Sequence, residues 1–303
     1  MKIGTSNINQ MYIGGSQVSA AYLGWEQVFP ETQPSPTGDT KVIMYRSTDE
    51  QTITPRFIYA FNFHSFDMEI VSNTYDLQNG GVMVFSDNVT NIPSESFSGY
   101  NLTEIVIPQS VTIINSKAFS GCTYLSSVTL PENVYLAQCF EGCTALSSIT
   151  IPDNTVLGGY IFAGCTSLSS VTFGSGITLS ADDGGNGMFV ECSSLQSFVI
   201  PSFFDKVPNY MFDGCINLSS VTIPNSVTAI GRGAFASCSG LSSITIPSSV
   251  INIDQYAFLI CSNLSTINYS GTMSQWSLIT LGNHWNQAVP ATVVHCSDGD
   301  VSL

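Results

Sequence analysis

Hydrophobic residues recur along this chain at intervals of about 23 positions. Phenylalanine marks the recurrence, at Phe97, Phe119, Phe140, Phe162, Phe189, Phe212, Phe235 and Phe258. A leucine follows each of them five or six residues later and opens a segment of the type L-S-S-V-T-I-P. An internal repeat of this length is typical of stacked repeat proteins, so we expect about eight similar units.

Each unit is expected to contribute one short β-strand. In one of them, apolar Ile244 and Ile246 alternate with Thr245, which is typical of a strand with one buried face. Pro247 ends this strand because proline cannot donate a hydrogen bond to a ladder. A second apolar pair after the proline indicates another side of the same coil, and the A-F-x-x-C segment indicates a tight turn or a single helical turn.

The repeat and its flanks together predict the fold and its divisions. A unit of this size cannot bury its apolar face alone, so the units must stack at about 4.8 Å per strand step. We predict a mainly β repeat solenoid of about eight coils of ~23 residues with caps at both ends. The predicted segments are an anchoring module at 1–29, a Pro-rich linker at 30–40, an N-terminal cap at 41–93, the solenoid at 94–270 and a C-terminal cap at 271–303.

Seven of the nine cysteines occupy one position of the repeat, namely Cys122, Cys143, Cys165, Cys192, Cys215, Cys238 and Cys261. A metal site needs ligands that converge on a point, whereas these residues lie on a line with one in each coil. Disulfides between neighbouring coils are conceivable from the spacing, but an odd number would leave a thiol over and impose strain. We therefore predict a buried structural ladder of free thiols.

The composition limits the classes of partner. Only 10% of the residues are charged, and the net charge of −15 opposes binding to nucleic acid or to anionic membranes. No segment has the ~18 consecutive apolar residues of a membrane-spanning helix, and the N-terminus lacks the apolar region of a signal peptide. We expect no nucleic-acid partner, no membrane insertion and, if the protein acts outside a cell, another route of release, such as within an assembled particle.

Residues with catalytic or metal-binding chemistry are scarce. The three histidines, His64, His284 and His295, are far apart in sequence, and the common nucleophile, phosphate and zinc motifs are absent. A Gly-rich segment with oxygen ligands lies in the longest interval of the repeat, 27 residues, at Asp182, Asp183 and Asn186. Such oxygens could hold Ca²⁺, although the D-x-D-x-D-G spacing is missing and a solvated loop is the simpler explanation. We predict no enzyme, no catalytic residue and no cofactor.

The pattern A-F-x-x-C-x-x-L-x-x-[IV]-x-[IL]-P from about Ser94 to Ser270 resembles the BspA-like, or Treponema pallidum type, leucine-rich repeats. The resemblance implies adhesion and recognition of proteins or glycans on surfaces rather than catalysis. The flanking segments look like the caps of such arrays, and Trp276 and Trp285 are expected to cover the last coil.

The first thirty residues carry a different repeat with a period of ten, in which Ile3-Gly4, Ile13-Gly14 and Leu23-Gly24 correspond. Three strand-and-turn units are expected, since glycine permits the tight reversals. This segment resembles a module at the termini of virion proteins in phages of gut bacteria, where it docks fibres or decoration proteins. The resemblance assigns virion anchoring to Tyr12, Ile13, Gly14, Val18, Tyr22, Leu23, Gly24, Trp25 and Val28.

The predicted strands present an outward row of mostly β-branched residues, which begins at Val106 and ends at Asn268. One explanation is that threonine suits an exposed strand; the other is that this hydroxyl-rich face, with the aromatic departures from the repeat, binds a ligand. The candidate ligand-binding surface comprises Tyr124, Thr129, Thr150, Tyr160, Thr172, Phe203, Tyr210, Thr222 and Thr245.

Three functions fit these observations. The first is a phage virion accessory protein, a head or tail fibre or decoration, whose N-terminal module contacts virion proteins and whose solenoid adheres to glycan or protein on a bacterial or host surface. The second is a BspA-like bacterial surface adhesin that binds host proteins. The third is a purely structural virion stabiliser. The location would be the virion surface or the bacterial cell surface, and a homo-oligomer is compatible with each.

Overall fold

The computed structural model describes residues 11–13, 16–18, 42–53, 70–76 and 80–303. Near the N-terminus, β1 (Met11–Ile13) and β2 (Ser16–Val18) form an antiparallel hairpin in which Tyr12 is paired with Gln17. Among the sequence predictions, those at Gly14, Tyr22, Leu23, Gly24, Trp25, Val28 and His64 lie outside the described residues.

The repeat array begins against a small antiparallel sheet. This sheet contains β3 (Val42–Ser47), β4 (Ile70–Asp76) and β5 (Gly80–Phe85), and its order is β4-β5-β3. Met83 and Phe85 of β5 are buried and join the core of the array. The sheet therefore shares one hydrophobic core with the coils that follow it.

Each coil of the array contributes two short parallel strands. The longer strands form ladder A, which contains β7 (Leu102–Val106), β9 (Ser127–Thr129), β11 (Ser148–Ile151), β13 (Ser170–Phe173), β15 (Ser197–Val199), β17 (Ser220–Thr222), β19 (Ser243–Ile246), β21 (Thr266–Tyr269) and β23 (Val293–Cys296). The two-residue strands form ladder B, which contains β6 (Asn91–Ile92), β8 (Ile113–Ile114), β10 (Tyr135–Leu136), β12 (Val156–Leu157), β14 (Thr178–Leu179), β16 (Lys206–Val207), β18 (Ala229–Ile230), β20 (Asn252–Ile253) and β22 (Thr280–Leu281).

These strands confirm the predicted mainly β solenoid and give it about nine coils rather than eight. We number the coils 1 to 9 by their ladder B strand, from β6 to β22. The alternation expected from the sequence is present in β19, where Ile244 and Ile246 are buried and Thr245 is exposed. The ninth coil was missed because it has no phenylalanine at the repeat position.

The A-F-x-x-C segments form the third side of each coil. The phenylalanine side chains are buried and stack from Phe97 to Phe258 with ring centroids 5.3 to 6.0 Å apart and nearly parallel planes. The backbone N–H of each phenylalanine donates to a carbonyl of the next coil, as from Phe162 to Met188 and from Phe189 to Met211. This phenylalanine column runs through the whole array.

The ninth coil ends the column with tryptophan. The indole of Trp285 meets the ring of Phe258 edge-on at 6.0 Å, and Trp276 packs against Trp285 at the same distance. Trp276 belongs to the one-turn helix α1 (Met273–Trp276), which begins with a capping box between Thr272 and Gln275. Both indoles are buried, so they shield the last phenylalanine from water.

Antiparallel strands close both ends of ladder A. At the N-terminal end β3 pairs antiparallel with β7, and at the C-terminal end β24 (Gly299–Ser302) pairs antiparallel with β23. An unpaired edge strand would offer its N–H and C=O groups to another chain. The closing strands occupy these edges and leave none of ladder A open at its ends.

Coil 5 is the irregular part of the array. Ladder B is continuous from β6 to β14 and again from β16 to β22, but β14 does not pair with β16. Ladder A is interrupted three times, since β9 does not pair with β11, β13 does not pair with β15 and β17 does not pair with β19. The break in ladder B and the middle break in ladder A lie beside the 27-residue interval between Phe162 and Phe189. The two steps on either side of coil 5 therefore each depend on one ladder plus the phenylalanine column.

No helix in the described segments is long and apolar enough to cross a membrane.

Candidate functional site

The outward threonines of ladder A occupy one position of the repeat, which is held by Val199 in coil 5. Thr150, Thr172, Thr222 and Thr245 are exposed and Thr129 is half-buried. Neighbouring strands are in register, so that Thr150 stands beside Thr172. The first position of the row, Val106, was expected to face outward but is buried, because it packs with Val42 and Met44 of β3.

The candidate aromatic residues do not lie on this same face. Tyr160 follows Thr150 by ten residues in a coil of 22, so the two stand almost half a turn apart. Tyr124 is 53% exposed and precedes β9 by two residues, near the threonine row. The predicted surface is therefore two surfaces, one on ladder A and one at the corner between ladder B and the phenylalanine column.

Phe203 does not serve as an exposed aromatic. It is half-buried, and its ring contacts Phe173 at 5.6 Å and Phe204 at 4.7 Å between centroids. These three rings pack together beside the gap between β13 and β15. Phe203 thus packs against the hydrophobic core beside coil 5.

The corner carries a row of tyrosines, which we call the tyrosine row: Tyr160, Tyr210 and Tyr256. Each stands two residues before the buried residue of the phenylalanine column, in coils 4, 6 and 8. Their φ angles of 52°, 57° and 60° place them in the left-handed region, which turns the chain from ladder B into the column. The same position holds Gly187 in coil 5 and Gly233 in coil 7.

Each of these glycines lies beneath a tyrosine of the preceding coil. A Cβ at position 187 would collide with the ring of Tyr160, and a Cβ at position 233 would lie 2.7 Å from the ring of Tyr210. In coil 8 the ring of Tyr256 stacks on His284 of coil 9, with planes 6° apart. The rings therefore lie flat along the solenoid, each covering the next coil.

Acidic groups flank the first two tyrosines. Partial burial, followed by the proximity of Tyr210, Asp213 and Asp183, raises the pKa of Tyr160 above its usual value. Partial burial and the neighbouring Glu191 raise the pKa of the Asp213 carboxyl. At the other end of the row the guanidinium of Arg232 lies 5.6 Å from the ring centre of Tyr256.

The predicted calcium loop is part of this corner. The backbone carbonyl of Asn186 accepts from Tyr160 at 2.7 Å, and its side-chain oxygen accepts from the N–H of Asn209 at 3.1 Å. Through its backbone and side-chain oxygens, Asn186 of coil 5 thus connects to coils 4 and 6. Within the described segments no group of three or more His, Cys, Asp or Glu side chains is placed to hold a metal ion. The Ca²⁺ assignment to Asp182, Asp183 and Asn186 stays untested.

The cysteine ladder lies inside the array. All nine cysteines are thiols, and the seven repeat cysteines are buried. Each of the seven donates from Sγ to the phenylalanine carbonyl of the preceding coil, as from Cys215 to Phe189 at 3.0 Å. Desolvation raises the pKa of Cys165, Cys215 and Cys261 to about 12. Such thiols stay protonated and unreactive at neutral pH.

The described histidines have structural neighbours. His284 stacks on Tyr256, and Nδ1 of His295 lies 2.8 Å from a carboxylate oxygen of Asp300, its partner across the β23–β24 hairpin. Cys296 is half-buried next to His295, and partial burial raises the pKa of its thiol. A raised pKa is the opposite of what a nucleophilic cysteine requires.

Sequence reasoning missed Tyr256, Arg232 and His284 as members of the corner surface. The signal was present two positions before the column residue, where tyrosine and glycine alternate from coil 4 to coil 8. The reason for the alternation is visible only when the coils are stacked, because each glycine makes room for the tyrosine ring of the preceding coil.

Comparison with known proteins gives one family. A model described as "BspA type Leucine rich repeat region" matches in six copies over residues 68–183 and 184–283. None of the curated proteins matches the sequence.

Solved structures with similar chains include three leucine-rich repeat proteins. The protein from Bacteroides ovatus is 27% identical over 68% of this chain and 64% of its own, with a TM-score of 0.41. The protein from Eubacterium ventriosum is 28% identical over 56% and 46%, with a TM-score of 0.46. The T. pallidum protein is 26% identical over 52% and 73%, with a TM-score of 0.42. The chain thus spans less than two thirds of the length of the first two.

Proposed function

Because the chain belongs to the BspA type leucine-rich repeat family, we propose that its solenoid is a non-enzymatic adhesion module that binds glycan or protein on a bacterial or host surface. The observation that carries this proposal is the corner of coils 4 to 6. There Tyr160 and Tyr210 lie close to the carboxylates of Asp183 and Asp213, beside the longest interval of the repeat.

Two physical arguments support this site. Loops and irregular coils on a rigid scaffold carry function more often than the regular parts do. Tyrosine is among the residues that dominate binding energy at interfaces. Tyr160 remains 37% exposed, although burial of an aromatic ring is energetically favourable.

The test is attachment of the purified protein to surfaces. Fluorescently labelled protein is incubated with a panel of gut bacteria and with mucin-coated beads, and bound protein is measured by flow cytometry against a labelled acidic protein of the same size. We expect saturable binding to at least one surface. Binding no greater than that of the control protein on every surface would reject adhesion and leave the structural role.

We further propose that residues 1–29 anchor the protein to the head or tail of a virion. The β1–β2 hairpin, with strands at Met11–Ile13 and Ser16–Val18, fits one strand-and-turn unit of the ten-residue repeat. Mass spectrometry of purified virions from the strain that carries the gene is the direct test. Recovery in the envelope of uninfected cells instead would favour the bacterial surface adhesin.

Deletion of residues 94–270 distinguishes an adhesion module from a structural stabiliser. If particles lacking the solenoid lose adsorption but keep their thermal stability, the solenoid is an adhesion module. If they keep adsorption and break at lower temperature, the protein is a structural stabiliser.

A further inference from the structure

We propose that the tyrosine row is a stacking platform for a linear, uncharged glycan of the β-1,4-linked type that lies along the solenoid axis. This inference rests on the proposed adhesive function and names the ligand of the corner surface. It assigns ring stacking to Tyr160 and Tyr210 of the row; Tyr256 is excluded because its ring is stacked on His284 and covered by the guanidinium of Arg232.

The spacing of the row matches such a chain. The tyrosines occur in every second coil, so their rings are separated by two strand steps, about 9.6 Å. In an extended β-1,4-linked chain neighbouring sugars are flipped relative to each other, and the same sugar face returns every two units. The length of two units is close to this separation, so successive rings would meet equivalent faces of one chain.

The orientation of the rings also fits. Tyr160 and Tyr210 lie flat because Gly187 and Gly233 beneath them carry no side chain. One face of each ring therefore rests on the solenoid. Tyr160 is nevertheless exposed to solvent and Tyr210 is half-buried. A flat ring with an open face is suited to the apolar C–H face of a sugar, whereas a protein ligand usually calls for rings that project into a pocket.

The polar groups beside the row indicate an uncharged ligand. Asp183 and Asp213 lie near the ring of Tyr160 and would accept hydrogen bonds from sugar hydroxyls. The same carboxylates, on a chain of net charge −15, would repel acidic polysaccharides and nucleic acids. The charge and the shape of the corner thus agree on a neutral polysaccharide.

The experiment is affinity electrophoresis of the full chain in native gels. The gels contain hydroxyethyl cellulose as the β-1,4-linked probe, dextran as a flexible α-linked probe or polygalacturonate as an acidic probe. We expect retardation by hydroxyethyl cellulose alone. We expect Tyr160→Ala and Tyr210→Ala each to weaken binding at least about tenfold, and the double variant to migrate as if no polysaccharide were present.

Two variants keep the result interpretable. Tyr160→Phe retains the ring and should bind within about twofold of the wild type, whereas Tyr124→Ala removes an exposed tyrosine outside the row and should bind normally. Thermal unfolding checks that all variants are folded. Equal retardation of the double variant and the wild type, or retardation by dextran or polygalacturonate instead, would overturn the proposal.

The outcome is independent of the test of adhesion. Protein that attaches to cells or mucin but is not retarded by hydroxyethyl cellulose refutes the glycan platform and leaves adhesion standing. Protein that does neither refutes both.

Discussion

Replacing Phe189 with alanine should split the array into two parts that unfold separately. The step from coil 4 to coil 5 lacks ladder A pairing and the step from coil 5 to coil 6 lacks ladder B pairing. The phenylalanine column bridges both steps, and Phe189 is its residue in coil 5. In a solenoid, where each repeat contacts its neighbours only, loss of such a bridge uncouples the two sides.

The size of the effect follows from the packing of the ring. Phe189 is fully buried and contacts Phe162, Phe198 and Phe212 with centroids 6.0, 5.0 and 5.7 Å away. Removal of a buried phenylalanine ring costs about 3–5 kcal/mol. For an m-value of about 2 kcal/mol/M in urea, the midpoint of the affected transition would fall by about 2 M.

Phe258→Ala is the matched control. The ring of Phe258 is equally buried and contacts Phe235 and Trp285, but both ladders are continuous on each side of its coil, from β18 to β22 and from β19 to β23. We expect a similar loss of stability for this variant without separation of the array into two parts.

The assay is urea unfolding followed by two probes. Far-ultraviolet circular dichroism reports the whole array, whereas fluorescence in a Trp25→Phe background reports Trp276 and Trp285 at the C-terminal end. We expect coincident curves for the wild type and separated curves for Phe189→Ala. Coincident curves for Phe189→Ala, shifted by the same amount as those of Phe258→Ala, would show that coil 5 is coupled as strongly as the rest and that the argument from ladder gaps is wrong.

Two further predictions concern the thiols and the glycines. The pKa values of Cys165, Cys215 and Cys261 are raised to about 12 in the folded state. Their contribution to stability is therefore complete below the unfolded pKa near 9 and is lost as pH rises towards 12. The free energy of unfolding, measured by urea titration, should fall above pH 9, by roughly 1.4 kcal/mol for each thiol at pH 10, and a flat profile to pH 11 would contradict their burial. Gly187→Ala should cost about 2–4 kcal/mol, because backbone strain at φ 56° adds to the collision with the Tyr160 ring. In a Tyr160→Ala background the same change should cost only about 1 kcal/mol, and an undiminished cost in a double-mutant cycle would show that the ring does not lie over the glycine.

Periodicity made most of the fold predictable. The spacing of the phenylalanines and the alternation in Ile244, Thr245 and Ile246 identify the strands, because a buried column and a half-buried strand leave different residues at fixed positions. The ninth coil escaped notice because Trp285 closes the column from a different position in its coil and breaks the count of phenylalanines.

The candidate site was predicted less well, because sequence distance does not indicate the side of a coil. Thr150 and Tyr160 were assigned to one surface, although ten residues in a 22-residue coil take the chain nearly to the opposite side. The burial of Val106 depends on β3, which lies about sixty residues earlier in the chain. No local sequence pattern indicates that contact.

The closing strands of ladder A also bear on how such a protein changes over evolutionary time. Since β3 and β24 run opposite to the coils they cover, a coil added outside either of them would meet a strand of the wrong direction. New coils can therefore be added only between β3 and β24, by in-frame duplication of an internal stretch of the gene that preserves the period of the repeat. The number of coils in this array could thus change without any change to the strands that close its two ends.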